Sequence, residues 1–256
     1  MKSNQLLRPK PKRETKNYVK YRILCPKSPL CLLEQDIKQV WLEGQGRYAY
    51  VLTIIDVFSR FVLHRAVGLQ MKQADVKAAW LSVIENWLEP LNVLAWEVDI
   101  EVRNDNGPQF RAIKIQDFMR ENSFSQTFTH PYTPQENGHV ESFHAILGRS
   151  LEGKVFENLH ELIKDLDIFY LFYNYRRIHN SICKLPPALF WQQWNKKNIE
   201  RLVVDEKKRK VRFKLNIGRQ YLRKFEPAGN ENQKGVLSVI FEGSTPEKIK
   251  SKSDES

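Results

Sequence analysis

The sequence predicts an α/β fold, a mixed sheet flanked by helices, with a small basic β domain appended at the C-terminal side. Three observations carry this reading. Three β-branched and aromatic runs follow one another closely between residues 35 and 68. Strand-like and helix-like segments then alternate to residue 128, and helical periodicity fills most of 136–195, an order that suits a helix-covered sheet. After Trp194 the composition shifts to short basic runs such as VVDEKKRKVRFKLN and RQYLRKF.

The elements follow in order. Residues 1–33 read as a basic arm, because prolines at 9, 11, 26 and 29 interrupt any periodicity. Residues 35–42 (QDIKQVWL) alternate and end in the turn-rich Glu43-Gly44-Gln45-Gly46. Residues 47–57 (RYAYVLTIIDV) and 61–68 (FVLHRAVG) are strands by composition. Their tight connections predict an antiparallel meander. Over 73–88, Val76, Ala79, Trp80, Val83, Ile84 and Trp87 recur at helical spacing, and Pro90 stops the helix. A short strand over 98–103 (VDIEVR) runs into the loop Asn104-Asp105-Asn106-Gly107-Pro108. A helix over 109–122, a strand over 124–128 (FSQTF) and the loop THPYTPQ come next. A helix starts near Glu136 with Val140, Phe143, Leu147 and Leu151 as its apolar stripe. Another spans 157–176, and Pro186-Pro187 opens a short one over 187–195. The expected domains are the arm (1–33), a core (34–195), a basic β-rich domain (196–242) and a disordered tail (243–256).

Composition narrows the function classes. No apolar run approaches the ~20 residues that a membrane span needs. The first residues, MKSNQLLRPKPKRETK, hold no apolar stretch of the secretory kind, so an intracellular protein is expected. Cys25, Cys31 and Cys183 are odd in number, form no CxxC and match no zinc pattern, so reduced thiols are expected. The net charge of +11 is unevenly spread. Residues 1–22 carry a net +7 and residues 195–225 a net +9, which leaves the remainder net −5. Such clusters are either a solvated basic surface or the footprint of a polyanion, since Lys and Arg release counterions from phosphate backbones.

Three acids sit where an α/β fold can use them. Asp36 lies near the start of the first strand, Asp105 just past the end of another, and Glu141 one turn into a helix. Strand ends and helix starts converge in such folds. Three carboxylates make a hard oxygen cage that suits Mg²⁺ or Mn²⁺ better than zinc. Two such ions can activate a water or a 3′-hydroxyl and stabilise the leaving oxygen in phosphoryl transfer. The plainer readings are an Asp that makes a turn before Asn-Gly and a Glu placed for the helix dipole.

The segments VLTIIDVFSRFV, VRNDNGPQF, HPYTPQENGHVESFHAIL and FYNYRRIHNSICKLPPALFW together resemble the integrase core of retroviral integrases and bacterial insertion-sequence transposases. Between Asp105 and Glu141 lie residues 106–140, the 35-residue gap for which the Asp–Asp–35–Glu group of this family is named. The resemblance covers about residues 33–195. It implies a ribonuclease H-like fold, Asp36, Asp105 and Glu141 as catalytic metal ligands, and Mg²⁺ or Mn²⁺ as cofactor, as two ions. Asp56, of IIDVFSR, is expected in a supporting role. The first motif reads LEQDIKQVW, where relatives commonly have a Trp before the aspartate and a Thr after it.

The same resemblance makes double-stranded DNA the partner, both element ends and target, and implies a homo-oligomer acting in the bacterial cytoplasm at the nucleoid. Candidate DNA contacts are Asn106, Tyr132, Gln135, Asn137, His144, Arg176 and Arg177, with Lys207, Lys208, Arg209 and Lys210 in the basic tail. Bland alternatives stand beside several. Asn106 and Gly107 can simply shape the turn, with Gly107 a backbone necessity. Asn137 can support a metal ligand or cap its helix, His144 can approach the site itself or be a surface histidine, and Tyr173 and Tyr175 can pack rather than stack on bases. Relatives carry a helix-turn-helix or a zinc-binding bundle ahead of the core. The first 33 residues match neither, so end recognition is expected from a separate upstream frame, by frameshifting, or to be lost. The expected activity is 3′-end cleavage and strand transfer. A nuclease of the same fold and an inactive DNA-binding remnant are the alternatives.

Overall fold

The computed structural model describes residues 25–95, 100–130, 137–205 and 210–222. Its main sheet has five strands in the order β3-β2-β1-β4-β5: β1 (Leu32–Leu42), β2 (Arg47–Asp56), β3 (Val62–Gly68), β4 (Ile100–Asn104) and β5 (Phe124–Phe128). The predicted meander is present, since β1 pairs with β2 and β2 with β3, both antiparallel. β4 pairs parallel with β1, and β5 parallel with β4.

Helices cover both faces. α1 (Gln73–Val83) and α3 (Ile113–Glu121) lie on one, α4 (Gly138–Leu151) and α5 (Leu159–Tyr175) on the other. β2 is therefore apolar on both sides. Leu52 and Ile54 join Trp80, Trp87, Phe118 and Met119, while Val51 and Ile55 join Phe143, Leu147, Leu166 and Phe169. That explains the nearly unbroken run VLTII, which a one-faced strand would not have. The alternation of β1 then sends Leu33, Gln35 and Ile37 to the first face, and Asp36 with Glu34 to the α4 face.

Two predicted helices differ in detail. The helix expected over 73–88 ends as α-helix at Val83 and widens into a π-helical turn over Ile84–Leu88. The helix expected over 109–122 is two, α2 (Pro108–Arg111) and α3, because Ala112 takes an extended ψ of 130°. α6 (Pro187–Asn195) leads into a two-stranded antiparallel hairpin, β6 (Ile199–Asp205) and β7 (Lys210–Leu215). Phe213 and Leu215 of that hairpin pack beside Phe58, Phe190 and Trp194, so it rests on the core's end. The expected tail, most of the arm and the run RQYLRKF beyond Leu222 lie outside the described residues. Among the described residues no helix is long and apolar enough to cross a membrane.

Candidate active site

The β1–β4 pairing covers only Leu32↔Glu101, Leu33↔Val102 and Glu34↔Arg103. Beyond it the two strands part, and Asp36 and Asp105 lie just past the fork. Asp36 stays paired to Thr53 of β2 and is 23% exposed at its side chain. Asp105 is the first residue after β4 and is exposed, with Oδ1 accepting the Gly107 amide at 3.0 Å. Glu141 is exposed in the first turn of α4, where the helix dipole favours a carboxylate.

Asp105 and Glu141 both feel the charge of Asp36. Partial burial raises the Asp105 carboxyl above its ordinary range, and the negative charge of Asp36 raises it further against the Gly107 hydrogen bond. Partial burial and then the Asp36 charge raise Glu141 in the same way. Like charges gathered without a counter-ion, in an all-oxygen donor set, are what a hard divalent cation relieves. Among the described residues no three His, Cys, Asp or Glu side chains stand close enough to hold an ion. The carboxylates are therefore in electrostatic reach rather than in one closed cage.

His144 sits behind Asp36. Its Nδ1 lies 3.0 Å from Asp36 Oδ2 and its Nε2 3.2 Å from Thr53 Oγ1, and Thr53 in turn meets the Tyr170 hydroxyl at 2.7 Å. His144 is 7% exposed, with both ring nitrogens engaged by these contacts. Asn137 is buried as well. It is 3% exposed and makes no cap hydrogen bond; its Nδ2 donates to the Gln35 carbonyl at 3.2 Å. Asn106 is exposed and donates to the Thr129 carbonyl at 2.7 Å, tying the Asp105 loop to the end of β5. Gly107 has φ −55°, open to any residue, so its backbone does not demand glycine. What it supplies is room, since a Cβ there would press on the Gln109 side chain and come within 3.0 Å of Asp105 Oδ1.

Tyr173 and Tyr175 are buried, 2% and 5% exposed, so they pack rather than stack on bases. Arg176 is exposed at the end of α5, and Arg177 lies 5.9 Å over the Tyr173 ring. Lys210 is exposed at the start of β7, followed on the same face by exposed Arg212 and Lys214. Tyr132, Gln135, Lys207, Lys208 and Arg209 fall outside the described residues.

Sequence reasoning missed several residues. Glu34 is fully buried, and its Oε2 accepts the amides of His139 and Val140, each at 2.8 Å. Burial pushes its carboxyl up to about 7 against those bonds and the nearby Arg60 charge. Gln35 and Asn104, each directly before a candidate aspartate, are fully buried and joined side chain to side chain at 3.2 Å. The available signal was polar residues inside strands otherwise made for a core.

Two family models match, both described as integrase core domain, one over residues 26–134 and one over residues 122–187. Together they run across more than half of the chain. Among solved structures, a chain of the simian T-cell lymphotropic virus intasome, in complex with PP2A regulatory subunit B56 gamma, is 16% identical. The match covers 66% of this chain and 56% of that one, at a TM-score of 0.52. The HTLV-2 integrase catalytic core domain in complex with magnesium is 16% identical over 60% of this chain and 92% of that one, at 0.44. The Mos1 transposase catalytic domain with raltegravir and Mg is 15% identical over 55% and 71%, at 0.47. This chain thus spans little more than half the length of the intasome chain. No curated protein matches. The likeness to the intasome chain is one of fold, a mixed five-stranded sheet flanked by helices, the α/β class expected from the sequence. Residues 26–187 of this chain thus match the integrase core domain in two overlapping segments.

Proposed function

We propose that the chain is a DNA transposase or integrase that cleaves at an element's 3′ end and joins the freed 3′-hydroxyl to target DNA, with Asp36, Asp105 and Glu141 as its metal ligands. The observation that carries this is the placement of Asp36, Asp105 and Glu141 at the fork between β1 and β4 and the facing end of α4, where partial burial and then the charge of Asp36 raise the other two carboxyls, in a segment matching the integrase core domain. Mg²⁺ or Mn²⁺, as two ions, would supply a lowered pKa for the attacking water or hydroxyl and a counter-charge for the leaving oxygen. His144 fixes the rotamer of Asp36 by its hydrogen bond. The Gly107 amide holds Asp105 by one oxygen, Oδ1. Glu141 is exposed on the first turn of α4.

Double-stranded DNA would lie across this open edge. Asn106, Arg176, Arg177 and Lys210, with Tyr132, Gln135, Lys207, Lys208 and Arg209, are the proposed contacts to it. Strand joining needs two DNA ends, so the working form is a homo-oligomer, and a separate helix-turn-helix subunit could supply end recognition. The test offers labelled element-end duplex and supercoiled target to the wild type and to Glu141→Gln. Wild type should cleave and join only with Mg²⁺ or Mn²⁺, while the variant binds DNA and does neither. Cleavage without joining would make the chain a nuclease of the same fold. DNA binding without metal-dependent chemistry would make it a remnant.

A further inference from the structure

We infer that Glu34 and Gln35, the two residues before Asp36, are the positioning hub that sets the distances among the three site carboxylates. This rests on the proposed metal site. The hub reaches the chain just ahead of each of the other two carboxylates.

On the α4 side, Glu34 Oε2 takes the amides of His139 and Val140, at 2.8 Å each, and Glu141 is the next residue. The Gln35 carbonyl takes Asn137 Nδ2 at 3.2 Å. A helix docked on a strand shares no backbone ladder with it, so these three bonds, rather than sheet pairing, fix how far along β1 the first turn of α4 sits. On the β4 side, ladder pairing ends at Glu34↔Arg103. The next rung is made by side chains: Gln35 Nε2 donates to Asn104 Oδ1 at 3.2 Å, and Asn104 Nδ2 donates to the Asp105 carbonyl at 2.7 Å. Gln35 is itself pinned by Trp80 Nε1 at 2.9 Å, and Asn104 by Gln126 Nε2 at 2.9 Å. The fork between β1 and β4 is thus stopped from opening further at the point where the two aspartates diverge.

Burial argues that this is more than incidental polarity. Glu34, Gln35, Asn104 and Trp80 are 0% exposed and Asn137 is 3% exposed. Glu34 Oε1 and Asn137 Oδ1 are buried with no hydrogen-bond partner among the described residues. A junction selected for stability alone would be apolar, because unpaired buried oxygens are costly. A polar junction fixes angles and distances that apolar packing leaves loose.

The experiment uses the full chain with Glu34→Gln, Glu34→Ala and Gln35→Met. Two quantities are read: the Mn²⁺-induced rise in Tm without DNA, and the Mg²⁺ concentration giving half-maximal strand transfer. Glu34→Gln keeps an acceptor oxygen for the two amides and should stay within about threefold of wild type on both. Glu34→Ala and Gln35→Met should remain folded and bind DNA as wild type does. They should need about 10–100-fold more Mg²⁺, the usual scale for losing a group that orients metal ligands, and show a smaller Mn²⁺-induced rise. If Glu34→Ala does not fold, Gln35→Met decides, since it keeps volume and removes only the polar atoms. Folded variants with wild-type metal requirement and Tm response overturn the hub. A wild type whose Tm ignores Mn²⁺ overturns it as well. A wild type that responds to Mn²⁺, with the response weakened in the hub variants, but joins no DNA leaves the hub standing and refutes the strand-transfer reading.

Discussion

Asp56 is the acid whose role the structure lets us test most sharply. It lies at the end of β2, 0% exposed, with both oxygens occupied. Oδ1 accepts the Leu30 amide at 2.9 Å, and Oδ2 accepts the Ser59 amide at 2.7 Å as well as the Ser59 hydroxyl. Few lone pairs remain, and none faces solvent, so it is poorly placed as a metal ligand. It fixes instead the sharp turn through Arg60, whose φ is +66°. Asp56→Ala leaves two buried amides and a hydroxyl unpaired at about 1–3 kcal/mol each, so about 3–9 kcal/mol in all. Against a typical domain stability of about 5–15 kcal/mol, that variant should be largely unfolded or close to it. Asp56→Asn retains an acceptor for Leu30 but turns an NH₂ toward the Ser59 amide. It also removes a buried charge, since burial holds the Asp56 carboxyl above its ordinary range, and that gain offsets part of the loss. We expect about 1–3 kcal/mol, or a urea midpoint lower by about 0.5–1.5 M at a slope near 2 kcal/mol/M. Circular dichroism across a urea series measures it, with strand transfer assayed on the folded fraction. An Asp56→Asn protein with the wild-type midpoint but no strand transfer would refute this reasoning and move Asp56 into the chemistry.

Other outcomes follow from particular contacts. His144→Ala should lower metal-dependent strand transfer about 10–100-fold while DNA affinity stays within about threefold, because Asp36 loses the group that orients it. A loss of DNA affinity instead would return His144 to the phosphate contacts. Burial, and then the Arg65 charge, push His64 down to about 4 from an ordinary 6.5. The unfolded chain binds that proton first, so stability is full above pH 6.5 and lost as pH falls toward 4. At about 1.4 kcal/mol per pH unit the loss approaches ~3 kcal/mol. His64→Gln should flatten that stretch of a Tm-versus-pH curve, and an unchanged slope would show that other groups carry it. Replacing Lys210, Arg212 and Lys214 together by Ala should reduce the salt slope of DNA binding by about 2–3, at ~0.9 per phosphate contact. An unchanged slope would remove β7 from the DNA path.

How much of this was legible depends on the range of the forces involved. β5 over 124–128 and the β1–β3 meander follow from composition and short turns, which are local, and the structure has them at those positions. The break at Ala112 carries no glycine or proline to announce it, and the π turn after Val83 keeps helical spacing, so neither shows in a periodicity. The site divides in the same way. The gap from Asp105 to Glu141 and the motifs around it can be counted along the chain. The roles of Asn137 and His144 cannot, because each is decided by a partner about a hundred residues away on β1. Glu34 beside Gln35 reads as the polar side of an amphipathic strand until α4 and β4 are packed against it and both become fully buried.

The location of the carboxylates follows from the topology itself. β1 and β4 are parallel neighbours, and such strands present their carboxyl ends on one edge, where open α/β sheets bind ligands. Here β1 also belongs to an antiparallel meander and continues eight residues past the last β4 rung, from Gln35 to Leu42. β4 stops at Asn104. One strand thus carries its aspartate on a rigid ladder while the other releases its aspartate into a loop. α4 then lays its first turn, with Glu141, across the face to which Asp36 points. One fixed carboxylate, one on a loop and one on a helix end is a division in which Asp36 supplies the reference position and the other two adjust to it. Loss of the Asp36 side chain should therefore relax the raised carboxyls of both Asp105 and Glu141 toward their ordinary values, whereas loss of Glu141 should leave Asp105 raised, since Asp36 is the charge that acts on both. Titration of the two remaining carboxyls by NMR in Asp36→Asn and Glu141→Gln would measure this, and equal effects from the two variants would contradict it.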